Sequence, residues 1–174
     1  MLGDFVTTFS YFCMIMKILR KADLNDLPAV YEIEKVCFDE ESFSFAQFRY
    51  LLNKAKSVFL VVEDNKEIAG YIILLEKKRV NGLRIYSIAI SPKYQRKGIA
   101  RRLLDEAEKQ TIIKKLDFLY LEVSEKNEKA RSLYSQNGFV ITGTIPSYYH
   151  DSSTALKMRK PMKVKEGKFP ISNC

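Results

Sequence analysis

Apolar and polar positions change rhythm repeatedly along this chain of 174 residues. A strand-like run opens it at residues 16–22, MKILRKA. The segment DLNDLPAVYEIEKVCF then predicts a helix capped by Asp23, with Asp26 as its capping partner and Pro28 tolerated only near the start. Leu27, Val30, Tyr31, Ile33 and Cys37 fall at helical spacing and make its buried stripe. A second short helix is expected over about 44–55, burying Phe45, Phe48, Leu51 and Leu52. Three β-type runs follow: SVFLVVED, KEIAGYIILLEKKR and LRIYSIAIS. The turn at Asp64-Asn65-Lys66 and the Asn81-Gly82 hairpin signal make them an antiparallel meander. Pro92, which cannot donate to a ladder, ends it. Helical spacing resumes near Lys97 or Gly98, through Ile99, Leu103, Leu104, Ala107, Thr111 and Ile112. The strand DFLYLEVS is next, then a helix over 127–137 with Ala130, Leu133 and Tyr134 inward and Gly138 at its end. FVITGTI and STALKMR are the last strands. The order β-α-α-β-β-β-α-β-α-β-β predicts one α+β domain, a mixed sheet of six to seven strands with about four helices on its faces.

No repeat or linker divides the chain. Residues 16–161 are read as the domain, 1–15 as an apolar N-terminal extension and 162–174 as a loose basic tail. The extension lacks the basic start and small-residue exit of a signal peptide and is too short to span a bilayer. The strand pattern also suits a start at Met14 or Met16. Hydrophobic residues make up 47% and charged residues 29%, with five Pro and seven Gly, which excludes disordered and collagen-like classes. Cys13, Cys37 and Cys174 are odd in number and scattered, so a reducing cytoplasm is expected and a disulfide framework is not. His150 is the single histidine, so no zinc spacing exists and no metal is expected. The net charge of +8 suits phosphate, nucleic acid or an acidic partner, and equally suits solvated Lys-rich faces.

Two stretches carry chemistry. In SIAISPKYQRKGIARRLL a strand runs into Gln95-Arg96-Lys97-Gly98-Ile99-Ala100, and a helix opens there. Gly98 and Ala100 allow close backbone approach, and the first helical amides point outward at the positive end of the helix dipole. Arg96, Lys97, Arg101 and Arg102 add cations around this point. The segment reads as a pyrophosphate cradle or as a plain strand-to-helix turn. It matches neither G-x-x-x-x-G-K-[ST] nor G-x-G-x-x-G. In LEVSEKNEKARSLYSQNGF, Glu122 is either a partly desolvated carboxylate of raised pKa, fit to be a general base, or an edge-strand residue facing water. Tyr134 on the inner stripe reads by itself as a core tyrosine, and Asn127 as a helix N-cap.

The first stretch resembles motif A of the GNAT acetyltransferases, Q/R-x-x-G-x-G/A, here Gln95-Arg96-Lys97-Gly98-Ile99-Ala100. The second resembles their motif B as found in protein N-terminal acetyltransferases of the RimI and Ard1 type. It reads Leu121-Glu122-Val123, Asn127, Ala130, Leu133-Tyr134 and Gly138-Phe139. The resemblance covers residues 16–161 and implies a GNAT fold, acetyl-CoA as cosubstrate and direct acyl transfer without metal. It further implies that the backbone of Ile88, Ala89 and Ile90 pairs with the pantetheine arm. Gln95, Arg96, Lys97, Gly98, Ile99, Ala100 and Arg101 would hold the pyrophosphate, and Asn127 would touch coenzyme A. Glu122 would be the general base and Tyr134 the general acid. On the acceptor side, Phe43 stands in a loop that in the family carries P-W/Y-S, and Tyr148 and Tyr149 match the Tyr pair of the last hairpin. Ser124-Glu125-Lys126 and Ser152-Ser153-Thr154 depart from the family's pattern.

Three functions follow. An N-acetyltransferase acting on a protein or peptide N-terminus, with the ribosome as a possible neighbour and no membrane, is expected first. A polyamine-type acetyltransferase shares motif A, although only Asp39, Glu40 and Glu41 cluster as carboxylates near the acceptor side. A basic module docking on RNA or the ribosome is the third, without an aromatic RNA-binding signature to support it.

Overall fold

The structure, a computed structural model, describes residues 17–53 and 56–162, so the expectations for residues 1–15 and for the tail beyond Met162 lie outside the described residues. Strands β1 (Ile18–Lys21), β2 (Ser57–Asp64), β3 (Glu67–Glu76), β4 (Gly82–Ile90), β5 (Phe118–Ser124), β6 (Val140–Ile145) and β7 (Ala155–Pro161) form one sheet in the order β1-β2-β3-β4-β5-β7-β6. Only β4 and β5 are parallel; all other neighbours are antiparallel. Helices α1 (Leu27–Phe38) and α2 (Phe45–Asn53) cover one face, and α3 (Ile99–Ile113) and α4 (Glu128–Gln136) the other. The expected element order holds throughout. No described helix is long and apolar enough to cross a membrane.

Local chemistry shifts several boundaries. Asp23 and Asp26 do form a capping box, but they cap a 3-10 turn, Leu24–Asp26, and α1 starts after it with Pro28 in its first turn. The Asn65–Lys66 turn is a two-residue hairpin with both residues at positive φ, as the right-handed strand twist favours. The Asn81-Gly82 signal is different. The chain turns earlier, with the Val80 amide donating to the Lys77 carbonyl, and Gly82 is already in β4. There it must be small, because a Cβ would lie 2.2 Å from the Phe118 ring on β5. Ile112, expected on the buried stripe of α3, is 58% exposed; Ile99, Leu103, Leu104, Ala107 and Thr111 are buried.

One irregularity organises the centre of the sheet. Opposite β3, Ile73 pairs with Ser87 and Leu74 with Ile85, which leaves Tyr86 as an extra residue, a β-bulge. Before it Leu83 and Ile85 pack in the core under α3 and α4. After it Ala89 joins the core under α1 and α2, and Ile88 and Ile90 pack toward the α3 side. The bulge thus puts Tyr86 and Ser87, consecutive residues, on the α1 side. It also adds local twist, the kind of bend that turns a strand away from its neighbour.

Candidate active site

Strands β4 and β5 pair at only three positions, Gly82 with Phe118, Leu83 with Leu119 and Arg84 with Tyr120. Beyond them the strands separate. Residues 85–90 keep β3 on one side and residues 121–124 keep β7, so each strand leaves a backbone edge facing the gap. An extended chain can add to such an edge by main-chain hydrogen bonds. A cleft of about 610 Å³ opens at this divergence, lined from both faces of the sheet.

From the α1 face come the side chains that alternate with the core on β4 and β5. Glu122 and Arg84 form a close ion pair: Arg84 Nε and Nη2 both reach Glu122 Oε2, at 2.8 and 2.7 Å. Each side chain is 15% exposed. Arg84 Nη2 also donates to the Tyr148 hydroxyl at 3.4 Å, and the guanidinium lies 5.1 Å from the Tyr86 ring centre. Burial lowers the affinity of Arg84 for its proton, and the Glu122 charge and hydrogen bond outweigh it, for a net rise. Of the two readings of Glu122, partly desolvated or facing water, the carboxylate is largely buried, and it is paired with Arg84.

The same face holds a buried carboxylate, Glu34 of α1, only 1% exposed and at the cleft wall. Its Oε1 accepts from the Phe43 amide at 3.1 Å, and its Oε2 accepts from the Tyr71 hydroxyl, which also meets Ser87 Oγ at 2.9 Å. Burial raises the Glu34 pKa, and the three hydrogen bonds only partly offset that. Holding Phe43 by its backbone sets its ring flat on Tyr86, 5.0 Å apart and 8° from parallel. The β6–β7 loop closes the opposite wall. Tyr148 and Tyr149 meet edge to face there, the His150 amide donates to Glu41 at 2.7 Å, and Lys126 pairs with Asp151 at 2.7 Å. Burial first, then the neighbouring Tyr148, raises the Tyr149 pKa to about 12.

From the α3 face comes Tyr134 of α4. It is buried, packs edge-on against Phe139 and lines the cleft. Its hydroxyl makes no hydrogen bond among the described residues, contrary to the satisfied core tyrosine that its position suggests. Burial, with a smaller push from Tyr149, moves its pKa well above the ordinary tyrosine value. Asn127 is the N-cap of α4, with Oδ1 accepting from the Ala130 amide at 3.0 Å. Ahead of α3, Arg96 and Gly98 both take positive φ, and a Cβ on Gly98 would meet nothing within 4 Å. The α3 N-terminus is thus open above its free amides, with Gln95, Arg96, Lys97 and Arg101 exposed around it.

Residues 27–139 match the acetyltransferase (GNAT) family. This chain belongs to that family. Among curated proteins it is 31% identical to the [ribosomal protein bS18]-alanine N-acetyltransferase of Escherichia coli over 144 residues, 77% of this chain and 88% of that one. It is also 31% identical to the spermidine N(1)-acetyltransferase of Vibrio cholerae over 141 residues, 76% of this chain and 82% of that one. Among solved structures, Ard1 from Thermoplasma volcanium superposes with a TM-score of 0.79 at 26% identity, covering 84% of this chain and 98% of that one.

The GNAT fold brings Glu122, Tyr134, Asn127, Phe43, Tyr148, Tyr149 and Ile88 to one cleft. Ala89 and Ile90 continue the β4 edge, and the segment from Gln95 to Arg101 sits at the end of that strand. Several of its side chains are engaged within the protein. Gln95 Nε2 donates to the Ile90 carbonyl at 3.2 Å, Lys97 lies 5.0 Å from the Tyr94 ring centre, and Arg101 pairs with Asp105 at 2.8 Å. Ile99 is buried in the core, so only its backbone faces the helix end. Sequence reasoning passed over Arg84 and Glu34. Glu34 left a signal, since it stands four residues after Val30 on the buried stripe of α1. Arg84 left none, because its partner lies on a strand 38 residues away.

Proposed function

We propose that this GNAT N-acetyltransferase acts on the free α-amine of a protein or peptide N-terminus, with acetyl-CoA as cosubstrate. The observation that carries the reading is that Glu122 and Tyr134 reach one cleft from opposite sheet faces, beneath an aromatic mouth of Phe43, Tyr86, Tyr148 and Tyr149. The relatives named [ribosomal protein bS18]-alanine N-acetyltransferase and N-terminal acetyltransferase A complex catalytic subunit NAA10 support the same acceptor.

The residues fit coenzyme A. The free β4 edge at Ile88, Ala89 and Ile90 suits the amide-bearing pantetheine arm, and the open α3 N-terminus suits its pyrophosphate. Asn127 at the start of α4 stands beside that path. Acetyl-CoA supplies the activated acetyl thioester. The acceptor amine must shed a proton as its nitrogen bonds the acetyl carbon, and Glu122 takes it, directly or through water. The carbon–sulfur bond breaks, and Tyr134, held protonated by burial, gives a proton to the departing sulfur.

The test is acetyl transfer, read by mass spectrometry, to N-terminal peptides, lysine side-chain peptides and polyamines. In Glu122→Gln and Tyr134→Phe, peptide turnover is expected to fall by about 10² or more while coenzyme A binding persists. Turnover of no N-terminal peptide alongside good turnover of another amine would falsify the reading. A polyamine acceptor is the second reading. The carboxylates of Asp39, Glu40 and Glu41 line the same cleft, and the Vibrio cholerae relative is a spermidine acetyltransferase. Spermidine turnover well above that of every peptide would establish it. Action in the cytoplasm, near the ribosome, completes the first reading. Its support is the scattered cysteines and the +8 charge.

A further inference from the structure

The Arg84–Glu122 pair is bonded through one side only. Both contacts with Arg84 fall on Glu122 Oε2, and they use Arg84 Nε and Nη2. Among the described residues no hydrogen bond reaches Glu122 Oε1 or leaves Arg84 Nη1, and neither atom is among the buried unpaired ones. Both side chains line the cleft. The cleft therefore presents an anionic acceptor and a cationic donor side by side. The donor is anchored: the Glu122 carboxylate, the Tyr148 hydroxyl and the Tyr86 ring fix its plane.

We infer that Arg84 is a specificity-determining residue, whose free guanidinium edge donates to the carbonyl oxygen next to the acceptor's amine while Glu122 faces the amine itself. This rests on the N-terminal reading above and narrows it chemically. A peptide N-terminus carries an ammonium and, one carbon away, a carbonyl that only accepts. That sequence of donor and acceptor complements the free Oε1 and Nη1. A polyamine carries donors alone, and its next ammonium would meet a fixed cation. A site built to bond a substrate oxygen also discriminates strongly against an analogue lacking it, since the donor, once covered by the bound acceptor, is then left unpaired. Arginine suits the task because its planar fork can hold Glu122 with one edge and offer the other.

The experiment compares a short peptide, a monoamine of similar shape lacking the carbonyl, and spermidine as acceptors. The enzymes are wild type, Arg84→Gln and Arg84→Lys, with coenzyme A binding and melting temperature checked for each. Arg84→Gln is expected to weaken apparent peptide binding, raising KM about tenfold or more. The monoamine shares any change that losing Arg84 imposes on Glu122. The peptide-to-monoamine ratio of kcat/KM is therefore the readout, and it should fall by a similar factor. Arg84→Lys keeps a charge without the fork and should restore part of that ratio. An unchanged ratio in both variants, with peptides still acetylated, overturns the role of Arg84 and leaves the acceptor reading standing. Wild-type enzyme that acetylates spermidine and no peptide overturns both. Should Arg84→Gln fail to bind coenzyme A, Arg84→Lys decides alone: a ratio equal to wild type refutes the inference.

Discussion

Glu34 shows how much one side chain can fix. Its carboxylate holds the Phe43 amide and the Tyr71 hydroxyl, and through Phe43 it sets the stacked ring over Tyr86. Replacing it by Ala leaves the Phe43 amide unpaired and takes one of two partners from the buried Tyr71 hydroxyl, and a loss of about 1–3 kcal/mol is expected. Glu34→Gln keeps an acceptor for Phe43 and a polar partner for Tyr71, and it cannot ionise. Because burial raises the pKa of Glu34 above its unfolded value, folding favours its neutral form. That contribution is complete below the ordinary glutamate range and is lost as pH rises through the native titration. Denaturation followed against pH should show a decline over this window in the wild type and a flatter profile in Glu34→Gln. Equal slopes would mean that Glu34 ionises as easily folded as unfolded. At this scale the sequence was half legible. Glu122 and Tyr134 were singled out by the resemblance of their stretch to the family's motif, not by their own pattern, whereas the Arg84–Glu122 bond is set by sheet register, which local pattern does not encode.

At the scale of elements, two glycines separate two kinds of constraint. Gly98 needs its freedom for backbone angle alone, since φ is +77° and space is open around it. Gly82 needs its smallness, since Phe118 occupies the place of a side chain. Gly98→Ala should therefore cost about 1 kcal/mol, from the strained angle, and weaken acetyl-CoA binding. Gly82→Ala should cost more, about 1–3 kcal/mol, because strand or ring must shift. Calorimetric melting of both proteins orders them, and the reverse order would contradict this division. The number and order of elements were legible because α3 and β5 bury regular stripes, while β2 and β3 stand out as continuous buried apolar runs. The misread boundaries share a cause: Asn81-Gly82 and Ile112 were judged by local pattern, while packing against β5 and solvent at the end of α3 decided them.

For the whole molecule, if the α3 N-terminus holds the anionic cosubstrate as proposed, the +8 charge and the exposed cations there would act on it together. The KM for acetyl-CoA should rise as salt goes from about 0.01 to 0.3 M, because the screening length shortens from about 30 Å to below 8 Å. A KM indifferent to salt would assign the cosubstrate's binding to short-range contacts alone.

The three-residue contact between β4 and β5 has a consequence beyond catalysis. It makes the sheet two plates, β1–β4 and β5–β7, stitched along a very short line and clamped from one face by α3 and α4. The connection from α3 to β5 runs through exposed Lys114 and Lys115. A chain cut there would lose one covalent link and no hydrogen-bonded ladder. The two fragments are thus expected to reassemble when mixed, and recovery of acetyltransferase activity would report it. The place where an enzyme opens for its substrate is, in this molecule, also the place where it could be made from two pieces.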